Sequence, residues 1–351
     1  MIKIDIFKEN HRFSEQTPHP DPRSVVGAAN LAAGRRRKQP REQNRLPAVC
    51  ELVVLAEQEV KMANLNVFYQ GPDLNGALGY CYFDNTFSAG PFQLGGERMS
   101  ASPSAVAWAG GLNVFHQGPG DNGQLWYARA ASIVPTVWSE EDKVVPNLAL
   151  TDSPSAVVYN GLLYVFHQGG GNEERLRYLV FDGTNWSGDT LIPNVDMSGS
   201  PSAVLWAGGI SVFHQGNGDD QSLWYSYFDG TNWYGDTLVP NLGLSGSPST
   251  VVYNGNLYVF HQGEGNDGQL WYSSNDGTNW TADTPVQNLG MSGSPSAVLW
   301  AGGISVFHAG GANGSLWYSY FDGTNWYPDT QVQNAAGEFV TMSESPSAVV
   351  F

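Results

Sequence analysis

The sequence predicts an all-β fold, a six-bladed β-propeller of four-stranded antiparallel blades, on three observations. Glycine is abundant at 42 residues and aromatic residues reach 13%, whereas charged residues supply only 14%. This balance is typical of many short strands joined by tight turns. The tetrapeptide Ser-Pro-Ser-Ala, once Ser-Pro-Ser-Thr, recurs at intervals of 47 or 51 residues. Finally, residues 345–351 and the segment that begins at Met62, read one after the other, form one complete copy of the repeat.

The repeat begins six times, and its interior is equally regular. Its starts are Ser102, Ser153, Ser200, Ser247, Ser294 and Ser345. A histidine follows each of the first five starts by fourteen residues, within Val-Phe-His, and Tyr69 takes that position in the remaining copy. A period of this length indicates blades or solenoid turns.

The copy that begins at Ser200 shows how one repeat divides into four strands. An apolar stretch, SAVLWA, is followed by the turn Gly208-Gly209 and by a second stretch, ISVFHQ. A polar loop at residues 216–221 leads into SLWYSYF, and a turn at residues 229–232 leads into a fourth strand that starts at Trp233. We predict that the first strand lies nearest the axis and that Phe213 and its equivalents lie in the core.

The complementary segments predict how the ring closes. Residues 345–351 read SPSAVVF, and the segment from Met62, MANLNVFYQG, continues them as one repeat. A blade built from both segments removes two open sheet edges. We therefore predict a propeller over residues 62–351, with blade 1 shared by residues 345–351 and 62–101. Residues 1–61 carry eleven of the sixteen Lys and Arg and are predicted to be a basic leader that is disordered or non-native.

Charge and hydropathy exclude several partners. The net charge is −17, and the leader has eleven basic and eight acidic residues, or +3, so the propeller carries −17 − 3 = −20. Such an acidic body repels phosphate backbones, which predicts no nucleic-acid partner. The sequence has neither a secretory signal nor a long apolar run. It therefore predicts no membrane insertion, and a location that is cytoplasmic or reached by release without a signal peptide.

The repeat also bears on catalysis. An enzyme needs one unique constellation, whereas this chain offers the same polar residues in copy after copy, so we predict no catalytic residue, no cofactor and no metal. Four Asp-Gly-Thr-Asn-Trp segments resemble the sialidase Asp-box but lack one of its residues, and we predict that they are hairpin turns with a packed Trp. They begin at Asp182, Asp229, Asp276 and Asp322. A propeller scaffold for proteins and a glycan-processing enzyme remain the alternatives to a sugar-binding protein.

The polar loop between the second and third strands is the candidate binding region. Amides, carboxylates and imidazoles there can bind sugar hydroxyls, and a following Trp can pack on the C–H face of a pyranose. We expect a neutral imidazole at an accessible blade rim to accept a sugar hydroxyl. The candidate sugar-binding residues are Tyr69, His116, His167, His214, His261, His308, Gln117, Gln168, Gln215, Gln262, Asp121, Asn172, Asp219, Asn266, Asn313, Trp126, Trp224, Trp271 and Trp317.

A family resemblance rests on the whole repeat, SPSAVLWAGGISVFHQGNGDDQSLWYSYFDGTNWYGDTLVPNLG in the copy from Ser200. This unit resembles the repeats of mushroom β-propeller lectins of the Agrocybe type and, more distantly, those of the fucose-binding Photorhabdus type. The resemblance covers residues 62–351. It implies a fungal, multivalent lectin that binds glycans and glycoproteins with terminal N-acetylglucosamine at the blade rim, without catalysis. Two blades depart from the pattern, because Tyr69 and Gly79 replace His and Trp in blade 1 and Arg177 replaces Trp in blade 3.

Overall fold

The computed structural model describes residues 64–71, 76–83, 87–89, 98–133, 136–171, 173–218, 220–310, 314–334 and 336–351. The predicted leader, residues 1–61, lies outside these ranges. All regular elements in the described ranges are β-strands. None of those residues forms a helix long and apolar enough to cross a membrane.

The first three sheets are antiparallel and four-stranded. One contains β1 (Leu65–Gln70), β2 (Leu78–Phe83), β3 (Phe87–Ala89) and, beside β1, the strand β23 (Ser347–Val350). The next contains β4 (Ser100–Trp108), β5 (Gly111–Gln117), β6 (Leu125–Ile133) and β7 (Thr136–Val144). The third contains β8 (Leu150–Tyr159), β9 (Leu162–Gly169), β10 (Arg175–Phe181) and β11 (Thr190–Asp196).

A seven-stranded sheet and a final four-stranded sheet complete the described strands. The seven strands are β12 (Ser198–Trp206), β13 (Gly209–Gln215), β14 (Ser222–Phe228), β15 (Trp233–Tyr253), β16 (Asn256–Gly263), β17 (Gln269–Asn275) and β18 (Thr284–Gly290). The final four are β19 (Ser292–Trp300), β20 (Gly303–Ala309), β21 (Leu316–Phe321) and β22 (Trp326–Gln331). Strands β12, β13, β14 and β15 confirm the predicted division of the repeat.

The long strand β15 is shared between two groups of strands. Residues 233–243 pair with β14, and residues 244–253 pair with β16. With β15 counted in both groups, the strands make six four-stranded units. We number them 1 (β23 with β1–β3), 2 (β4–β7), 3 (β8–β11), 4 (β12–β15), 5 (β15–β18) and 6 (β19–β22), and we call the space between two facing units a junction.

A buried apolar cluster fills each junction. At junction 5–6, for example, Phe260 and Leu270 of unit 5 pack against Ile304 and Val306 of unit 6. Equivalent clusters lie at junctions 1–2, 2–3, 3–4, 4–5 and 6–1. The Phe of each second-strand Val-Phe-His or Val-Phe-Tyr segment is at most 1% exposed, which confirms its predicted place in the core. The second strand of each unit is thus buried on both faces, between one junction and the next.

The serines of the Ser-Pro-Ser segments join the units near their first strands. The Oγ of the second serine accepts a hydrogen bond from a backbone amide of a neighbouring unit in all six copies, at 2.9 to 3.1 Å. The acceptors are Ser347, Ser104, Ser155, Ser202, Ser249 and Ser296, and the donors in the same order are Ala105, Ala156, Ala203, Thr250, Ala297 and Ala348. Successive bonds therefore link units 1 to 2, 2 to 3 and so on to 6 and back to 1.

Strand β23 supplies the first strand of unit 1. Residues 347–350 pair antiparallel with residues 65–68 of β1. Beyond that pairing, Asn64 and Phe351 exchange two backbone hydrogen bonds, at 2.9 and 3.0 Å. In unit 4 the equivalent positions are Trp206 and Gly209, which face one another across a hairpin turn. The predicted contribution of the C-terminal strand to blade 1 is therefore present as backbone pairing.

The Asp-Gly-Thr-Asn-Trp segments form tight turns, as predicted. In the turn at Asp229, Oδ1 accepts the amides of Thr231 and Asn232, both at 2.7 Å. These backbone hydrogen bonds hold the pKa of Asp229 below its ordinary value. The Trp that ends each segment packs into a junction, as Trp233 does beside Phe166. These aspartates therefore have a structural role in the turn.

Candidate functional site

The five repeat histidines are buried and paired with aspartates on or beside the fourth strand of the same unit. In unit 6, His308 Nε2 lies 3.0 Å from Asp329 Oδ1, and His308 Nδ1 lies 3.2 Å from the carbonyl oxygen of Ala309. The pairs are His116–Asp142, His167–Asp189, His214–Asp236, His261–Asp283 and His308–Asp329, with Nε2–Oδ1 distances of 2.9 to 3.0 Å. Each imidazole therefore has both ring nitrogens engaged.

This placement differs from the accessible rim position expected from the sequence. Side chains alternate between the two faces of a strand, so His308 shares a face with the buried Ile304 and Val306. All five histidines are at most 1% exposed. Neither ring nitrogen is free to accept a sugar hydroxyl, and the expected direct contact between imidazole and sugar is therefore not available in this structure.

The hydrogen bonds of the pair also define what the histidine does. A carbonyl oxygen only accepts, so Nδ1 must donate to it. The Nε2–Oδ1 hydrogen bond then requires one further proton on the imidazole–carboxylate pair. The imidazole holds the carboxylate through Oδ1, and this also fixes the direction in which Oδ2 points. The histidines thus position an acidic group.

One such carboxylate lines a cavity of about 640 Å³ at junction 5–6. Gln287 and Asn288 form its unit 5 side, and Trp317, Tyr327 and Asp329 form its unit 6 side. The Asp329 side chain is 17% exposed. Among the described residues, Asp329 Oδ2 has no hydrogen-bond partner, whereas Oδ1 accepts from His308 and from Ser319. The cavity therefore combines an oriented acceptor with aromatic walls, and its volume falls within the range of small-molecule sites.

The predicted tryptophans lie opposite the histidines on the third strand. Trp224, for example, pairs with His214 across β13 and β14. An acidic residue four positions earlier holds the indole in two units, where Asp220 Oδ2 accepts Trp224 Nε1 at 3.0 Å and Asp267 Oδ2 accepts Trp271 Nε1 at 2.7 Å. Trp126, Trp224, Trp271 and Trp317 are all partly exposed. These rings are suitable in position and accessibility to contact a ligand at their junctions.

In unit 3 the position of this tryptophan is occupied by Arg177, whose side chain binds two acidic residues. Arg177 Nε donates to Asp189 Oδ2 at 2.8 Å, and Nη1 donates to Glu173 Oε1 at 3.0 Å. Burial alone would raise the pKa of Asp189, but hydrogen bonds and charge from His167 and Arg177 hold it below its ordinary value. Both oxygens of Asp189 are therefore committed within the protein, and junction 2–3 has no free carboxylate oxygen at this position.

Unit 1 has a paired replacement that fills the site. Tyr69 lies opposite Gly79 in the β1–β2 pairing. A Cβ at position 79 would lie 2.9 Å from the Tyr69 ring, so only glycine fits beneath it. Tyr69 is buried, and burial raises the pKa of its hydroxyl. The two departures of blade 1 thus compensate one another in packing, and among the described residues unit 1 has neither a His–Asp pair nor a tryptophan at the third-strand position.

The predicted loop residues lie apart from the tryptophan cavity. Gln117, Gln168 and Gln262 are buried, and Gln117 Nε2 donates to the carbonyl of Leu150 in the next unit at 3.3 Å. Gln117 and Asp121 line a second cavity of about 610 Å³, with Asp152 and Glu344. Gln215 is half-buried and Asn266 is exposed. Asn172, Asp219 and Asn313 lie outside the described residues, so the structure brings only part of the predicted set together.

The sequence analysis missed the aspartates of the His–Asp pairs. They are Asp142, Asp189, Asp236, Asp283 and Asp329. In units 3, 4 and 5 the aspartate follows its histidine by 22 residues, and in unit 6 by 21. Each of these four stands in an Asp-Thr dipeptide. That recurrence was visible in the sequence and could have identified them.

Comparison with known proteins supports the architecture. The sequence matches no protein-family model and no curated protein. Two structures of the Aleuria aurantia lectin are similar, one described as fucose-specific (17% identity, TM-score 0.60, 79% of this chain and 91% of that chain). The other is described as a fungal lectin with a six-bladed β-propeller fold and a novel fucose recognition mode (16%, 0.61, 79% and 93%). AofleA from Arthrobotrys oligospora is also similar (13%, 0.59, 83% and 89%). At these identities the likeness shows the β-propeller fold.

Proposed function

We propose that this protein is a lectin without catalytic activity, which binds several copies of a sugar at junctions of a closed six-bladed β-propeller. The observation that carries the proposal is the cavity at junction 5–6, where Trp317 and the carboxylate of Asp329 face one space. A pyranose has hydroxyl groups that suit a carboxylate oxygen and a C–H face that suits an aromatic ring. The Aleuria aurantia lectin, which is similar in fold, is described as fucose-specific.

Closure of the ring is inferred from two sets of contacts. The six serine bonds link each unit to the next and unit 6 back to unit 1. Buried apolar clusters follow the same cyclic order. Full closure of a β architecture removes open sheet edges. A closed disc would hold its binding sites in fixed relative positions.

We further propose three working sites per chain, at junctions 3–4, 4–5 and 5–6. These junctions combine a tryptophan with an aspartate whose side chain is 15 to 17% exposed. Junction 1–2 keeps Trp126, but Asp142 is only 3% exposed. Junction 2–3 has its aspartate occupied by Arg177, and junction 6–1 has the Tyr69–Gly79 replacement. Several sites on one rigid disc raise avidity for clustered glycans by roughly 10² to 10⁴.

The sugar we propose is terminal N-acetylglucosamine, on the resemblance of the 47-residue repeat to the Agrocybe-type lectins. The structural neighbours named for fucose make fucosides the necessary comparison. A glycan array that presents both sugars on matched linkers, probed with the full chain, separates the two. Binding to terminal N-acetylglucosamine is expected. Binding to fucosides alone would contradict the proposed sugar specificity but would still support the proposal that the protein is a lectin.

The site itself is tested by calorimetric titration with the methyl glycoside that the array identifies. Wild-type protein should give three sites per chain, and Trp317→Ala should give two, because the aromatic wall of junction 5–6 is removed. The matched control is Trp126→Ala at junction 1–2, which should leave the number of sites at three. A single site in the wild-type protein, or an equal loss in both variants, would contradict the proposed junction sites.

A further inference from the structure

An asparagine recurs in the part of each unit that leads into the following unit. It follows the aspartate of the His–Asp pair by five residues in units 2 to 6. In units 2, 3, 4 and 5 this asparagine is exposed and has a φ angle of 56 to 60°, in the left-handed region. These four residues are Asn147, Asn194, Asn241 and Asn288.

The neighbours of the asparagine place it at the junction with the following unit. In unit 5, Val286 and Leu289 are buried in the apolar cluster of junction 5–6. The equivalent pairs in units 2, 3 and 4 are Val145 and Leu148, Ile192 and Val195, and Val239 and Leu242, which are buried at junctions 2–3, 3–4 and 4–5. Asn288 lines the 640 Å³ cavity at junction 5–6, together with Trp317 and Asp329 of unit 6. That cavity therefore has an asparagine on one wall and a carboxylate on the other.

The amide of Asn288 is free, whereas the equivalent amide of unit 6 is not. Among the described residues, the Asn288 side chain has no hydrogen-bond partner. In unit 6, Asn334 Oδ1 accepts the backbone amides of Ala336 and Glu338, both at 2.9 Å. Asn334 Nδ2 donates to Glu338 Oε2, also at 2.9 Å. The amide beside junction 6–1, where no sugar site is proposed, is thus occupied within its own turn.

The backbone conformation does not by itself explain an asparagine at this position. Glycine adopts positive φ at least as readily as asparagine does. Yet none of the copies in units 2 to 6 has glycine here, although the chain contains 42 glycines. Gln287, the neighbouring amide on the same wall of the cavity, lacks this recurrence, because its equivalents in units 2, 3 and 4 are Pro146, Pro193 and Pro240. The asparagine therefore offers an amide that the backbone does not require.

The two walls of the cavity have complementary chemistry. The free Asp329 Oδ2 only accepts hydrogen bonds, so it suits a sugar hydroxyl but not a carbonyl oxygen. The Ser319 hydroxyl on the same wall already donates to Asp329 Oδ1 at 3.1 Å. An asparagine amide both donates and accepts, as does an acetamido group through its N–H and its carbonyl oxygen. Asn288 can therefore form two hydrogen bonds to one acetamido group.

We infer that Asn288 is a specificity-determining residue, whose amide binds the acetamido group of a terminal N-acetylglucosamine in the cavity at junction 5–6. The inference rests on the proposed function, because it assigns a role within the same sugar site. Glucose and fucose lack an acetamido group, so neither sugar can form these two hydrogen bonds. Their loss should weaken sugar binding at this junction by roughly tenfold or more.

Calorimetric titration of the full chain with methyl N-acetylglucosaminide tests this role. Asn288→Gly removes the amide and suits the positive φ, so this variant should melt as the wild-type protein does. It should lose one of the three sites, or bind there roughly tenfold more weakly. The matched control Asn147→Gly makes the same change at junction 2–3, where Arg177 occupies Asp189, and should leave the isotherm unchanged. Gln287→Ala, on the same wall as Asn288, should leave it unchanged as well.

Asn288→Asp tests the same role if the glycine variant melts much earlier than the wild-type protein. It keeps the shape of the side chain and its tolerance of positive φ, but it replaces the donor nitrogen with an oxygen, so the same site should be lost. A folded variant at position 288 with the wild-type isotherm, an equal loss from Asn147→Gly, or binding of fucosides alone would overturn the inference and leave the lectin proposal standing. A wild-type protein that binds no sugar on the array or in the calorimeter would overturn both.

Discussion

The first strands of the units and the cavities at the junctions differ in how much their residues vary from copy to copy, although both belong to the same repeat. Near the first strands, a serine of every Ser-Pro-Ser segment makes the same bond to the next unit in all six copies. Around the His–Asp pairs, by contrast, unit 1 has Tyr69 opposite Gly79 and unit 3 has Arg177. The serine bonds join neighbouring units that stand at the same distance from one another, so the serines are identical in all six copies. The residues of a cavity need to fit only their own neighbours, so they can differ from one junction to the next.

The largest effect is expected from removing the inner contacts of unit 1. Deletion of residues 345–351 eliminates β23 and its pairing with β1, and it removes the serine bonds of units 6 and 1. The exposed edge of β1 and the opened core should lower the thermal midpoint by roughly 10 °C or more, or abolish the cooperative transition. Circular dichroism melts measure this.

The control is deletion of residues 1–61, the predicted leader. That variant should melt as the full chain does and bind sugar with the same number of sites. Equal tolerance of the two deletions would contradict the role given to β23.

The His–Asp pairs give the next largest effect, because they join the buried core to the cavity. His308→Ala leaves the carboxylate of Asp329 without its imidazole partner. The loss should cost about 1 to 3 kcal/mol of unfolding free energy. Urea unfolding gives this value, and calorimetry should show one site fewer. If the variant loses a site but keeps its full stability, the imidazole would have to act at the sugar, as the sequence analysis expected.

A smaller effect is expected when Arg177 of unit 3 is replaced by the tryptophan that other units have at this position. Arg177→Trp frees Asp189 Oδ2 and places an indole four residues after Glu173, as Trp224 stands after Asp220. We expect a fourth site in calorimetric titration and little change in stability, since a partly exposed ion pair contributes about 1 kcal/mol or less. The control Arg177→Ala frees the same oxygen without an aromatic wall and should remain at three sites.

The smallest effect concerns the second cavity, where acidic residues meet. Burial and the nearby Asp121 raise the pKa of Asp152, so its ionised form is less favourable in the folded state than in the unfolded state. Stability is then lost as pH rises through the raised pKa, and Asp152→Asn should melt at a higher temperature near pH 7. The gain should shrink towards zero as pH falls below 3.8, the ordinary value of an aspartate.

The same measurement needs a control on the surface. Asp196 forms an exposed ion pair with Arg175, so Asp196→Asn should leave the melting temperature almost unchanged at neutral pH. A gain from Asp152→Asn that is equal at acidic and neutral pH would show that charge is not its cause.

The strands were predictable because their signals are local. The apolar stretch, the Gly208-Gly209 turn and the start of the fourth strand at Trp233 each depend on a few neighbouring residues. The site required two further steps. Strand alternation places His214 on the same face as Ile210 and Val212, and the sequence analysis did not apply this rule. The partner Asp236 is 22 residues away, and its position depends on how β15 returns beside β14.

The role of the serines was beyond local reasoning for a related reason. Ser202 Oγ accepts the amide of Thr250, 48 residues later, so its role exists only once two units stand side by side. Contacts between repeats depend on the distance between units, and the sequence of one repeat does not contain that distance.

The hydrogen bonds between Asn64 and Phe351 have a consequence for how such a gene could be rearranged. These two residues occupy the positions that Trp206 and Gly209 hold in unit 4, on either side of a two-residue turn. A short peptide joining residues 351 and 64, together with new termini between residues 207 and 208, would break one turn and restore its equivalent three units away. Every strand pairing and serine bond would be retained. In the proposed closed ring, the order of strands in this chain is one of six possible circular permutations, and genes permuted at the equivalent turns are expected to encode the same fold.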